Sequence, residues 1–101
     1  MIYRSRTMTL DRTKAEAMRD VCVRAAVYVN EHFPGIHVEI LENIAGSRDE
    51  IHMITRCASL AALEDYEETR KNDAEWMALV TEVHAIEGMT ETADYLYRVI
   101  S

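Results

Sequence analysis

Hydrophobic and polar residues alternate on both sides of a short polar stretch, "AGSRDE", in the middle of the chain. A period of two is typical of half-buried strands, so the pattern predicts a β-hairpin with its turn at Gly46–Glu50. A turn centred near Ser47 and Arg48 gives the pairs Ile44–Ile51, Ile40–Thr55, Val38–Cys57, Glu39–Arg56 and Asn43–His52. One face of this hairpin is then aliphatic, and the other carries five polar side chains: His37, Glu39, Asn43, His52 and Arg56.

Before the hairpin, the pattern predicts one strand and one helix. The alternating segment "IYRSRTMTL", Ile2 to Leu10, predicts the first strand. Thr13 and Glu16 have the spacing of a capping box at the start of a helix that ends at Pro34. Apolar residues recur at helical spacing in this segment: Met18, Val21, Cys22, Ala25, Val29 and Phe33.

After the hairpin, the chain predicts a broken helix and a closing strand. Ser59 and Asp73 are suitable N-caps for two helical pieces, separated by a kink or short loop at Asn72 and Asp73. Gly88 ends the second piece, and "TADYLYRVI" predicts the last strand. The β-α-β-β-α-β order predicts one ferredoxin-like α+β domain over residues 1–101, with helices on one face of a four-stranded antiparallel sheet. The other face must be solvated or covered by a partner.

Composition narrows the possible partners. The chain has 101 residues and a net charge of −7 with dispersed acidic residues, which argues against nucleic-acid binding. No apolar run is long enough for a membrane span, and the first residues do not resemble a signal peptide. Cys22 and Cys57 are isolated thiols, best interpreted as buried small residues in a reducing compartment. We therefore expect a cytoplasmic protein.

Two segments resemble a known family. Ile2, Tyr3, Arg6, Thr7 and Leu10 fit the opening strand of NIPSNAP-family domains, and so do Ser59-Leu60 and the Asp73-x-Glu75-Trp76 turn in the second half. The wider group is the dimeric α/β-barrel superfamily, which includes antibiotic-biosynthesis monooxygenases. The resemblance implies a homodimer in which two sheets face each other, with ligand or active sites between sheet and helices or near the barrel. The chain departs from the family at Ser5, Met53 and Thr55, where Leu, a His and an aromatic residue are usual.

The candidate site residues are mostly the polar side chains of the hairpin. Since strand one neighbours strand three in this fold, we expect Arg6, and Arg4 with it, to approach Arg56 on the face without helices. Arginines around Glu39 could hold an anionic ligand or form ion pairs across a dimer axis, the second being favoured. Tyr97 could line a pocket or, as we favour, complete the dimer interface with Tyr95. His37, Glu39 and His52 are too far apart in the predicted register to share a metal, so no metal site is predicted.

Two functions follow from these candidates. The first is a small-molecule-binding or interaction module that forms a homodimer through the open sheet face. The second is a cofactor-independent monooxygenase or isomerase acting on a small hydrophobic, partly anionic substrate, with His52, Arg6 and Arg56 as candidate catalytic residues. No cofactor is predicted, because no His stands out as a haem ligand. An apolar pocket of roughly 300 Å³ or more with one of these polar residues inside it would favour a ligand site.

Overall fold

The computed structural model describes residues 1–101 as a sheet covered on one side by helices, with overall dimensions of 37 × 35 × 19 Å. The strands and helices, in chain order, are β1 (Ile2–Leu10), α1 (Ala15–His32), β2 (His37–Glu42), β3 (Glu50–Cys57), α2 (Leu60–Lys71), α3 (Ala74–Ile86) and β4 (Met89–Arg98). A 3₁₀ turn, Arg12–Lys14, joins β1 to α1. The predicted ferredoxin-like fold with a broken second helix is confirmed.

The sheet is antiparallel with the strand order β2-β3-β1-β4. The predicted hairpin register is wrong by two residues, because His37 lies opposite Arg56 and Leu41 lies opposite His52. The connection between β2 and β3 allows this shift, since it spans seven residues, 43–49, and is not a tight turn. A shift of two residues keeps every side chain on its predicted face, so the division into an apolar and a polar face holds.

The prediction for the side of the sheet that carries Arg6 is wrong. Ile2, Met8 and Leu10 are buried beneath the helices. Since alternate residues of a strand share one face, Arg4 and Arg6 also face the helices, on the opposite side from Arg56.

The helix starts were predicted with mixed success. Ser59 Oγ accepts a hydrogen bond from the Ala62 amide at 3.1 Å, and Asp73 Oδ1 accepts one from the Trp76 amide at 2.8 Å, so both N-caps are confirmed. The predicted capping box of Thr13 and Glu16 is wrong. Asp11 instead accepts hydrogen bonds from the Thr13 amide and hydroxyl, at 2.9 and 2.7 Å. The 3₁₀ turn that Asp11 caps precedes α1, which therefore starts later than predicted.

The core lies between α1 and the sheet. Met18, Val21 and Ile51 are fully buried there. Gly88 permits this packing, because a Cβ at that position would lie 2.5 Å from Met18 Cγ. The last strand starts directly after Gly88, three residues earlier than predicted. None of the helices combines the length and the apolar character that crossing a bilayer requires.

Candidate ligand-binding cavity and open sheet face

A cavity of about 140 Å³ lies between the sheet and the helices. This volume is smaller than the roughly 300 Å³ that was expected of a ligand pocket from the sequence. Nine of its thirteen lining residues are hydrophobic: Met8, Cys22, Ala25, Met53, Trp76, Leu79, Val80, Val83 and Met89. Three flexible methionines and the only tryptophan of the chain thus form much of an adaptable apolar wall.

The polar residues of the cavity wall are all basic. They are Arg4, Arg6, Arg70 and His84, and no aspartate or glutamate lines the cavity. This is unusual for a chain with eighteen acidic and eleven basic side chains. The fold has therefore concentrated positive charge beside an apolar space, which is the combination that a hydrophobic anion requires.

Two of these arginines are paired with carboxylates. The Arg4 side chain is 12% exposed and contacts Glu67 of α2. Arg6 donates two hydrogen bonds to Asp94 of β4, at 2.8 and 2.9 Å. This pair raises the pKa of Arg6 and lowers that of Asp94, because each charge stabilises the other. Burial lowers the pKa of Arg4, and the neighbouring charge of Arg70 lowers it further.

Arg70 is held differently. Its guanidinium lies 4.7 Å from the ring centre of Tyr66 and 4.9 Å from that of Trp76. Its Nη1 donates a hydrogen bond to Tyr66 Oη at 3.1 Å, and no carboxylate lies within 4.0 Å of it. Arg70 is therefore fixed in place by two aromatic rings while its charge remains unpaired.

A hydrogen bond between helices fixes the α3 side of the cavity. Tyr28 of α1 donates its hydroxyl to both carboxylate oxygens of Asp73, at 2.7 and 2.8 Å. This contact raises the pKa of Tyr28 to about 12, and it contributes with the Trp76 amide to the lowered pKa of Asp73. Cys22 also lines the cavity, but burial raises the pKa of its thiol to about 11, so it is a poor nucleophile.

The opposite side of the sheet, here called the open face, carries an ordered polar network. His52 Nδ1 lies 2.9 Å from Thr7 Oγ1, and its Nε2 lies 2.7 Å from Asn43 Oδ1. Arg56 Nη2 lies 2.9 Å from Glu39 Oε1, while its Nε is buried and has no hydrogen-bond partner. These side chains form hydrogen bonds and ion pairs with one another, so they do not surround a space for a ligand.

The open face also exposes apolar residues. Tyr95 and Tyr97 stack with their ring centres 6.4 Å apart and are 58% and 51% exposed, while Leu41 of β2 is 45% exposed. They flank the network on two sides, since β2 and β4 are the two edge strands. Every residue of β4 is exposed in the single chain.

The structure separates the predicted site residues. Glu39, His52, Arg56 and Tyr97 share the open face as predicted, whereas Arg6 lines the cavity. No group of three or more His, Cys, Asp or Glu residues is arranged to hold a metal ion.

The family resemblance implied a site between sheet and helices, but the candidate residues chosen from the sequence left out most of the cavity wall. No role in a site was predicted for Arg70 or His84, and Arg4 was named only for the open face. The sequence contains a signal that Arg4 and Arg6 face the helices. They alternate along β1 in step with Ile2, Met8 and Leu10, whose apolar side chains predict the buried face of the strand.

Comparison with solved structures identifies the fold. No family model matches the sequence, and no curated protein does either. A NIPSNAP domain protein from Burkholderia xenovorans superposes with a TM-score of 0.82 at 9% identity, over 100% of this chain and 96% of that one. A protein named for the antibiotic biosynthesis monooxygenases, from Deinococcus radiodurans, gives 0.76 at 13% identity, over 100% and 94%. SnoaB, a cofactor-independent oxygenase from Streptomyces nogalater, gives 0.72 at 15% identity, over 99% and 93%. The chain thus has the ferredoxin-like α/β fold shared by NIPSNAP domains and antibiotic-biosynthesis-monooxygenase-like proteins.

Proposed function

We propose that the protein is a homodimeric binding module for a small, hydrophobic, partly anionic molecule, which occupies the cavity between sheet and helices. The observation that carries this proposal is the cavity wall, with nine hydrophobic residues, four basic ones and no acidic one. Removing apolar surface from water supplies affinity, and the arginines supply selectivity for negative charge.

The cavity volume limits the size of the ligand. An apolar protein cavity of about 150 Å³ holds one benzene molecule, and this cavity measures about 140 Å³. A molecule with a single six-membered ring fits without rearrangement, while a fused-ring molecule requires the methionine side chains to move.

The open face supports the dimer. Exposed apolar side chains on edge strands favour association, and a β4 strand exposed along its length needs protection from uncontrolled pairing. A second copy is the natural occupant, because the resemblance to NIPSNAP domains implies sheets that face each other.

Trp76 fluorescence tests binding, since this residue is the only tryptophan and lines the cavity. Titration with toluene, hexanoate or benzoate should change its emission with saturation. The Ala25→Leu variant should abolish the change, because it fills the cavity, whereas Ala61→Leu on the exposed side of α2 should not. Saturation by none of the three probes would contradict the proposal.

Sedimentation equilibrium tests the dimer. We expect a mass of two chains at micromolar concentration, reduced to one chain by Ile54→Asp at the centre of the open face. Val23→Asp, at an exposed position of α1, is the matched control and should remain dimeric. A monomeric wild-type protein would contradict the dimer. It would not affect the proposal that the cavity binds a ligand, which the fluorescence titration tests separately.

A second candidate is cofactor-independent oxygenation, favoured by the fold shared with SnoaB and by a basic side chain at the cavity. In such a reaction an activated methylene and dioxygen give a ketone and water. A base must first remove a proton from the methylene. The His84 imidazole has no hydrogen-bond partner within the chain and lines the cavity, so it is available for this role.

An oxygen electrode tests this candidate with cyclohexane-1,3-dione, a one-ring compound with an activated methylene. Oxygen uptake that requires the protein and falls at least tenfold in His84→Ala would support an enzyme. An equal rate in the His52→Ala variant is expected, because His52 lies on the other side of the sheet. Binding of the compound without oxygen uptake would leave the protein a binding module.

A further inference from the structure

The cavity contains one cation that is not neutralised. Arg4 and Arg6 each contact a carboxylate, whereas Arg70 contacts only the rings of Tyr66 and Trp76 and the Tyr66 hydroxyl. Aromatic faces attract a guanidinium but do not cancel its charge. Three guanidinium groups and two carboxylates therefore leave an excess of one positive charge beside the apolar space.

The surroundings of Arg70 also fix its geometry. Tyr66 is 4% exposed, so its ring is a rigid support for the guanidinium. Trp76 contacts the same guanidinium and lines the cavity itself. A guanidinium held in this way loses little side-chain entropy when it binds a carboxylate through two parallel hydrogen bonds.

Arg4 strengthens the case for an anion at this place. Its side chain is mostly buried, and the charge of Arg70 disfavours its protonated form. A negative group beside Arg70 would relieve this repulsion.

We propose that Arg70 is the specificity-determining residue of the cavity and binds the carboxylate of a one-ring aromatic acid whose ring lies among Met8, Met53 and Leu79. The inference rests on the proposed binding function and narrows its ligand to one chemical class. Arg70 supplies the charge recognition, and the methionines and Leu79 cover the ring. The volume of about 140 Å³ restricts the ring count to one.

The test compares benzoate with benzamide, its neutral counterpart of nearly equal size, by calorimetry on the wild-type protein. We expect benzoate to bind at least tenfold more tightly. Arg70→Gln should remove this preference. Arg70→Lys should recover only part of it, because a lysine keeps the positive charge but cannot donate two parallel hydrogen bonds to a carboxylate. Lys71→Gln removes the same charge from the next, exposed residue and should change the benzoate affinity less than twofold.

The outcomes separate this inference from the proposed function. Equal affinities for benzoate and benzamide in the wild type, or an unchanged preference in a folded Arg70→Gln variant, would overturn the role of Arg70 while leaving a binding cavity in place. No binding of benzoate, benzamide, toluene or hexanoate would overturn both. Thermal melts of each variant establish that a loss of preference does not reflect unfolding.

Discussion

The two sides of the sheet use the same residue types in opposite ways. On the helix side, Arg70 borders an apolar cavity and has no carboxylate partner. On the open face, Arg56 is paired with Glu39, and His52 uses both ring nitrogens in contacts with Thr7 and Asn43. A polar group that is already satisfied has little free energy to offer a ligand, while an unpaired one retains it.

A small molecule should therefore bind on the helix side of the sheet. The open face had more polar candidates by sequence, but its groups are joined to each other across three strands. The cavity has fewer polar groups, and all of them are basic. The following predictions test the assignment of ligand binding to the cavity and of association to the open face.

Two isoleucines of β3 should differ most strongly in their contribution to stability. Ile51 is fully buried under the helices, and Ile54 lies on the open face. Ile51→Ala should lower the free energy of unfolding by about 2–5 kcal/mol, through lost transfer energy and a new cavity. Ile54→Ala should lower the free energy of unfolding of the single chain by about 1 kcal/mol and should weaken the dimer. Urea denaturation at two protein concentrations measures the loss of stability and the weakening of the dimer. Equal losses of stability in the two variants would contradict the assignment of Ile51 to the core and of Ile54 to the open face.

Arg6 and Arg56 were predicted from the sequence to lie on the same face of the sheet, but they lie on opposite faces. Arg6→Gln should reduce the affinity for benzoate about tenfold, because it removes a cation from the cavity wall and leaves Asp94 unpaired beside it. Arg56→Gln should change it less than twofold, since Arg56 lies on the opposite side of the sheet. Calorimetry on both variants decides this. A larger effect for Arg56 would place ligand binding on the open face.

A smaller effect is expected for His52. His52→Ala removes its contacts with Thr7 and Asn43 and should lower the free energy of unfolding by about 1 kcal/mol. The affinity for benzoate should stay within twofold of the wild type. Denaturation and calorimetry on the same sample check both parts, and a loss of binding at unchanged stability would restore His52 as a site residue.

The smallest effect concerns the bond that holds α3 against α1. The Trp76 amide and the Tyr28 hydroxyl keep the folded pKa of Asp73 below its ordinary value of 3.8. Ionised Asp73 therefore adds stability above that value, and the contribution is lost as the pH falls through the folded pKa. Asp73→Asn keeps a suitable N-cap, so its Tm should lie only slightly below that of the wild type at neutral pH. The two Tm values should converge only as the pH falls well below 3.8. A difference that persists in strong acid would show that the ionised carboxylate of Asp73 is not its cause.

The fold was largely predictable because it depends on local patterns. Alternation around "AGSRDE" gave the hairpin, the periodicity of Met18, Val21 and Cys22 gave α1, and Ser59 and Asp73 gave the starts of α2 and α3. The exact hairpin register was not predictable, because the loop 43–49 is long enough to accommodate a shift of two residues without moving any side chain to the other face. The division of the hairpin into two faces survived for the same reason.

The order of elements, the two faces of the hairpin and the concentration of polar residues on one of them thus follow from the sequence pattern alone. Which residues form a cavity depends instead on how the helices pack on the sheet. Arg4 lies on β1 near the start of the chain, whereas Arg70, Trp76 and His84 lie on α2 and α3 in its second half. They line one cavity because the helices cover that side of the sheet. A period of two or 3.6 reveals the face on which a residue lies, but it carries no information about what the packing of distant elements places opposite that face.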